Sequence, residues 1–227
     1  MDFSKSKKYW VCGLIGCLCF GIGDWLLGYV DPTQVGADVF YFIRAGHGAE
    51  YPLARAAGAM ILAMIGVLFY LPAFAHIGDV ATDRKTSAHL RYTFGLCAIG
   101  WFAIHFLVGI NVIAYAWTAK SAGADLANGL SGYLGNSMLV CLYAAYLFVG
   151  IPCVWLIVAI LRKKTALRKP AALFTPLIWM GIVGAAANVL PASPFSYGLY
   201  TFCMNAGMAV WFVYLLTKNG PLTKKPQ

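Results

Sequence analysis

Long apolar runs, broken by short polar and basic clusters, set the pattern of this chain along nearly its whole length. Six runs can be marked, at about 9–30, 54–78, 92–118, 135–161, 171–190 and 194–217. Each holds roughly 20 residues or more, enough for a helix rising ~1.5 Å per residue to cross a hydrocarbon core of ~30 Å. The pattern predicts an all-α, polytopic transmembrane bundle of six spans, formed by residues 1–227 as one integral membrane domain.

Composition agrees with this pattern. The chain is 61% hydrophobic and 11% charged, whereas a soluble domain is about 45–50% apolar and about 25% charged. The opening MDFSKSKKYW has the charged flank of a signal peptide, but the apolar run behind it is long and lacks a small-x-small cleavage site. It is read as the first span, retained.

The net charge of +9 would suggest nucleic acid if the basic residues lay among aromatics on a soluble surface. Instead they sit in clusters between the runs, the pattern of topology determinants and of contact with anionic lipid headgroups. Fourteen of the 17 fall on one side of the predicted membrane, and only Arg44, Arg55 and Lys120 on the other. That asymmetry predicts an even number of spans with both termini cytoplasmic. The expected location is a bacterial inner membrane. The expected partners are membrane lipids and a hydrophobic or amphipathic small molecule, not nucleic acid.

The segment 31–53 forms a long exoplasmic loop that mixes Phe40, Tyr41 and Phe42 with Arg44, His47 and Glu50. A short interfacial helix and a plain connector are both open for it. The segment 119–132, small, polar and Gly-rich, reads as a flexible turn. Pro72, Pro152 and Pro176 should kink their helices, and Gly13-x-x-Gly16 permits close helix approach. No internal repeat of the kind found in many secondary transporters is visible.

Candidate chemistry lies where polar groups interrupt the spans. Asp24 is an ionisable group inside the first span, and facing lipid it would cost a few kcal/mol. It should therefore point inward to a partner or to water. His105 in the third span, Asn111 almost two turns on, Asn188 in the fifth span and Asn205 in the sixth all fall in the same outer half of the membrane. Arg55 opens the second span from that side, with Glu50 and His47 just before it. Asp24, His105 and Arg55 are the candidate catalytic residues, and Asn111, Asn188, Asn205, Glu50 and His47 the candidate substrate-binding residues. A purely structural network of interhelical hydrogen bonds is the alternative for the same groups.

Several chemistries are unsupported by spacing. The seven cysteines show no CxxC pair. His76 and His105 lie at depths too different to ligate one haem iron. Neither metal-ligand spacing, a P-loop, a GxSxG elbow nor a dinucleotide fingerprint occurs. No metal and no cofactor is expected.

The segment Gly23-Asp24-Trp25-Leu26-Leu27-Gly28, the second-span start from Leu53 through Arg55 to Gly58, and the asparagine-bearing stretch 202–212 together resemble an uncharacterised family of bacterial integral membrane proteins. The resemblance covers most of the chain and implies no activity. It implies only that Asp24 and Arg55 be considered together. Three functions follow from the residues: an intramembrane acid/base enzyme acting on a lipid or isoprenoid-like substrate, a small proton- or ion-coupled transporter, or a non-catalytic accessory subunit.

Overall fold

The computed structural model describes residues 3–30 and 52–218. They form six α-helices: α1 (Phe3–Gly28), α2 (Leu53–Ala75), α3 (Arg84–Ala122), α4 (Ala124–Leu161), α5 (Pro176–Val189) and α6 (Pro194–Leu216). Short 3-10 turns occupy Ile77–Val80 and Lys169–Phe174, and no strand occurs among the described residues. All helices except α5 are long and apolar enough to cross a membrane.

Packing follows chain order, α1 on α2, α2 on α3, α3 on α4 and α5 on α6, with α6 closing back on α1. Neighbours run antiparallel: Gly23 faces Ala59 and Gly16 faces Tyr70 across α1 and α2, and Tyr70 meets Trp101 as Phe74 meets Phe94 across α2 and α3. The start of α1 and the end of α6 therefore share one end of the bundle, the basal end. Lys5, Lys8, Arg84, Arg91, Arg162, Lys169 and Lys218 gather there, whereas Arg55 and Lys120 lie towards the apical end. Two loops are pinned together at the base, where the Thr82 N–H donates to the Lys164 carbonyl at 3.0 Å and the Ala166 N–H to the Val80 carbonyl at 2.8 Å.

Three expectations from the sequence need correction. The segment 119–132 is helical rather than a flexible turn: α3 runs to Ala122, α4 starts at Ala124, and the chain reverses on Gly123 at φ 95°. Only glycine takes that conformation without strain. Two of the small residues that suggested a loop, Ala119 and Ala127, instead pack with Tyr115 between the two helices. The predicted fifth span, 171–190, is divided, with the turn Lys169–Phe174 preceding a 14-residue α5. At ~1.5 Å per residue α5 alone is ~21 Å long, short of a ~30 Å hydrocarbon core. Pro176 does not kink a helix; it sits in the first turn of α5, where a missing N–H costs nothing. Pro72 and Pro152 do lie inside α2 and α4.

The outside of the bundle is apolar, with Leu68 at 66%, Val140 at 77% and Val189 at 83% exposure. Inside, a block of aromatics fills the basal half: Tyr70, Phe74, Phe94, Trp101, Trp211 and Phe212 are all fully buried. Their rings meet at 4.8 Å (Tyr70–Phe74), 5.4 Å (Phe74–Phe94) and 6.2 Å (Phe74–Phe212), separations at which aromatic pairs add ~0.5–1.5 kcal/mol each. This block is the floor on which the polar site rests.

Candidate functional site

The site begins with α2, whose buried face is Ala56, Ala59, Ala63, Gly66, Tyr70, Ala73 and Phe74. Its small residues let α1 come close, and of the two large side chains on it, Tyr70 and Phe74, Tyr70 is the polar one. Gly16 on α1 makes room for this ring, since a Cβ there would lie 2.6 Å from Tyr70 Cδ1. Further along α1, Asp24 is turned inward at 7% exposure, beside His105 of α3 at 5% and Asn205 of α6 at 0%.

These residues form one chain of hydrogen bonds. The Tyr70 hydroxyl donates to Asn205 Oδ1 at 2.7 Å, which fixes the amide so that Asn205 Nδ2 donates to Asp24 Oδ2 at 2.6 Å. The Tyr70 hydroxyl also lies 3.2 Å from Cys17 Sγ, and since its one proton serves Asn205, the thiol is the donor in that contact. Asp24 Oδ1 lies 2.7 Å from His105 Nε2, and His105 Nδ1 lies 2.9 Å from the Trp101 carbonyl. A carbonyl only accepts, so Nδ1 carries a proton. The short contact at Nε2 then needs a proton of its own, held either as imidazolium with carboxylate or as imidazole with carboxylic acid. Asp24 and His105 thus share one proton. Phe20 packs on the imidazole with ring centroids 4.7 Å apart, and the Thr201 hydroxyl reaches the Asp24 carbonyl at 3.1 Å.

Above this pair opens a cavity of about 290 Å³. Asp24, His105 and Asn205 lie at its polar end and Leu27, Ile104, Val108 and Met204 form its apolar walls, with Tyr143, Tyr146, Tyr200, Thr201 and Cys203 completing it. It lies among α1, α3, α4 and α6. Because α4 packs on α3 and scarcely on any other helix, the seam between α4 and α6 is loosely closed. Among the described residues no cluster of three His, Cys, Asp or Glu could hold a metal ion.

Other candidates from the sequence lie elsewhere. Arg55 does not reach Asp24; its Nη2 donates to the Tyr29 carbonyl at 2.8 Å, holding the last turn of α1. Asn111 accepts from the Ser131 hydroxyl at 3.0 Å between α3 and α4 and does not line the cavity. Asn188 Nδ2 donates at 2.9 Å to Gly184 O within its own helix. The physical reason is common to all three: each finds a backbone or hydroxyl partner nearer than the cavity, and depth in the membrane says nothing about which way a side chain faces. His47 and Glu50 lie outside the described residues, as does the aromatic stretch 40–42.

Tyr70, Thr201 and the three cavity tyrosines join the site only in three dimensions, because along the chain tyrosines read as part of the apolar mass or as interfacial residues. A signal exists for Tyr70, the one large polar residue in the Ala/Gly row of α2. No curated protein and no solved structure matches the chain. Over residues 1–219 it matches the model of the family of unknown function DUF6796, and it belongs to that family.

Proposed function

We propose that the protein is an intramembrane acid/base enzyme acting on a lipid or isoprenoid-like substrate, with Asp24 and His105 as the proton-transferring pair. The observation that carries this reading is the single proton shared by two buried groups at the polar end of an otherwise apolar cavity. A substrate polar group entering from the α4–α6 seam would meet Asp24 and His105, while its hydrocarbon part would lie along Leu27, Ile104, Val108 and Met204. One member of the pair gives a proton to a substrate atom and the other takes one from a neighbouring position, or from water. General acid–base catalysis of this kind is typically worth ~10²- to 10⁴-fold. Asn205, held by Tyr70, keeps Asp24 in place for both steps. Isomerisation, cyclisation and hydrolysis are all open to such a pair, and none requires a cofactor.

The fully buried aromatic block below Asp24 argues against transport, because a coupled solute would have to pass through it. The cavity argues against a purely structural subunit. In the membrane, the basal end with its clustered lysines and arginines would face the cytoplasm of a bacterium. Six crossings are supported by the turn Lys169–Phe174 and α5 together, which accompany α6 from Phe174 on Tyr214 to Gly184 beside Cys203.

The test works without first identifying the substrate. Purified protein is incubated with a total bacterial lipid extract in deuterium oxide or in ¹⁸O-water, and the lipids are examined by mass spectrometry. A lipid that gains solvent deuterium or ¹⁸O with the wild type but not with Asp24→Asn is the expected result. If no lipid gains either label, or if both proteins label it equally, the acid/base reading fails.

A further inference from the structure

A second polar cluster lies at the basal end, unconnected with the cavity. Asp79, in the turn after α2, accepts from the Ser6 hydroxyl at 2.6 Å, from His76 Nδ1 at 2.8 Å and from Arg91 Nη2 at 2.7 Å, joining α1, α2 and α3. The His76 ring stacks on Tyr9 with centroids 3.5 Å apart and planes within 4°. Beside this stack is a depression of about 500 Å³ lined by Lys5, Ser6, Lys8, Tyr9, His76 and Asp79.

Its charge is unbalanced. Asp79 is already matched by Arg91, and among the described residues neither Lys5 nor Lys8 is paired with a carboxylate. Lys8 lies 5.0 Å over the Tyr9 ring, on the same wall. His76 Nε2 has no partner among the described residues, because only Nδ1 faces Asp79. Two ammonium groups and a ring edge thus surround a space in which no further anion among the described residues neutralises them.

Lys8, on the wall of the depression, also heads an apolar lane along α1. Lys8, Val11, Ile15, Leu18 and Ile22 recur at the three- and four-residue intervals of one helix face. Val11 is 44% exposed, Leu18 63% and Ile22 52%. A cationic seat at the end of a lipid-facing stripe fits a ligand with a phosphate at one end and hydrocarbon at the other.

We infer that this depression seats one anionic phospholipid, its phosphate between Lys5 and Lys8 beside the Tyr9–His76 stack and an acyl chain along Val11, Leu18 and Ile22. A free phosphate shares the headgroup chemistry but gains nothing from the lane.

The test is native mass spectrometry of the full chain released from nanodiscs of phosphatidylglycerol and phosphatidylcholine, together with thermal stability in detergent on adding either lipid or inorganic phosphate. The wild type should retain one phosphatidylglycerol in preference to phosphatidylcholine and be stabilised by it, with inorganic phosphate having no effect. Lys5→Gln combined with Lys8→Gln should weaken phosphatidylglycerol binding by about 30-fold, the equivalent of ~1 kcal/mol per lysine at a membrane surface. Arg162→Gln combined with Lys169→Gln removes the same charge from the same end and should change binding by less than about threefold, since screened charges further away contribute little. Both pairs are exposed, so the variants should fold. Equal loss in the two double variants would reduce the effect to general surface charge, and equal stabilisation by inorganic phosphate would make the seat a plain anion site. Retention of phosphatidylcholine as strongly as phosphatidylglycerol would remove the charge selectivity. Any of the three overturns the inference.

Discussion

Asp79 at the base and Asp24 in the apical half are built from similar parts. Each is hydrogen-bonded to a histidine, His76 or His105, and accepts a bond from a polar side chain on another helix, Ser6 or Asn205. The difference is an arginine. Arg91 lies 2.7 Å from Asp79 and gives it a permanent positive partner, whereas Arg55 is engaged with the Tyr29 carbonyl. Among the described residues, Asp24 has only the proton it shares with His105 to meet its charge. A carboxylate with a fixed cation is held ionised and serves to join helices; one whose countercharge is itself a proton can exchange that proton with something else. Position makes the contrast sharper, since Asp79 is at a charged rim and Asp24 opens onto an apolar cavity.

The largest expected effect comes from removing the shared proton. Asp24→Asn keeps the shape and much of the hydrogen bonding, so stability in detergent should fall by at most ~2 kcal/mol. Labelling of the substrate lipid should nevertheless fall by ~10²- to 10⁴-fold. His105→Gln should behave in the same way, because the amide can bridge but cannot carry the proton. Unchanged labelling in either folded variant would make the Asp24 cluster as structural as that of Asp79.

Tyr70→Phe should have an intermediate effect. It leaves Asn205 Oδ1 buried without its donor, at a cost of ~1–3 kcal/mol in thermal or chemical unfolding. Labelling should fall by less than in Asp24→Asn, because the proton pair itself is intact. A variant as inactive as Asp24→Asn yet fully stable would mean that Tyr70 touches the substrate rather than positioning Asn205.

Arg91→Gln strikes the other cluster. Arg91 is 45% exposed on its side chain, so its ion pair is screened, and the loss in stability should be below about 1 kcal/mol. Labelling should be unchanged. A large loss of labelling would show that the two clusters are coupled through the aromatic block.

The smallest effect is expected at a third carboxylate, Asp83, which caps α3. The Thr86 N–H and hydroxyl, each donating at 2.8 Å, hold its carboxyl below the usual carboxylate range. A lowered folded-state value means that its contribution is present above the ordinary carboxylate range and is lost as the pH falls through the folded value. The melting temperature of Asp83→Ala should therefore lie slightly below that of the wild type at neutral pH and converge with it in acid. A gap that stays constant across the titration would show that the cap does not depend on the charge.

Much of this molecule could be read from the chain alone. An apolar run has few options in a membrane, since its backbone groups must bond internally and a helix does this locally. Helical character follows from that constraint, the grouping of the basic clusters at one end from the charge bias of membrane topology, and the inward burial of Asp24 from the cost of a charge facing lipid. The apical hairpin could not be read in the same way, because the polarity of 119–132 suggests a loop and only packing against α3 reveals the helix. Nor could the membership of the site. Asp24, His105, Arg55, Asn111, Asn188 and Asn205 all lie in one slab by residue count, but only Asp24, His105 and Asn205 converge. Depth along a helix depends on residue number, whereas convergence depends on how each helix is rotated about its axis. That rotation was decided by the tertiary fit of Gly16 to Tyr70 and of the Ala/Gly face of α2 to α1.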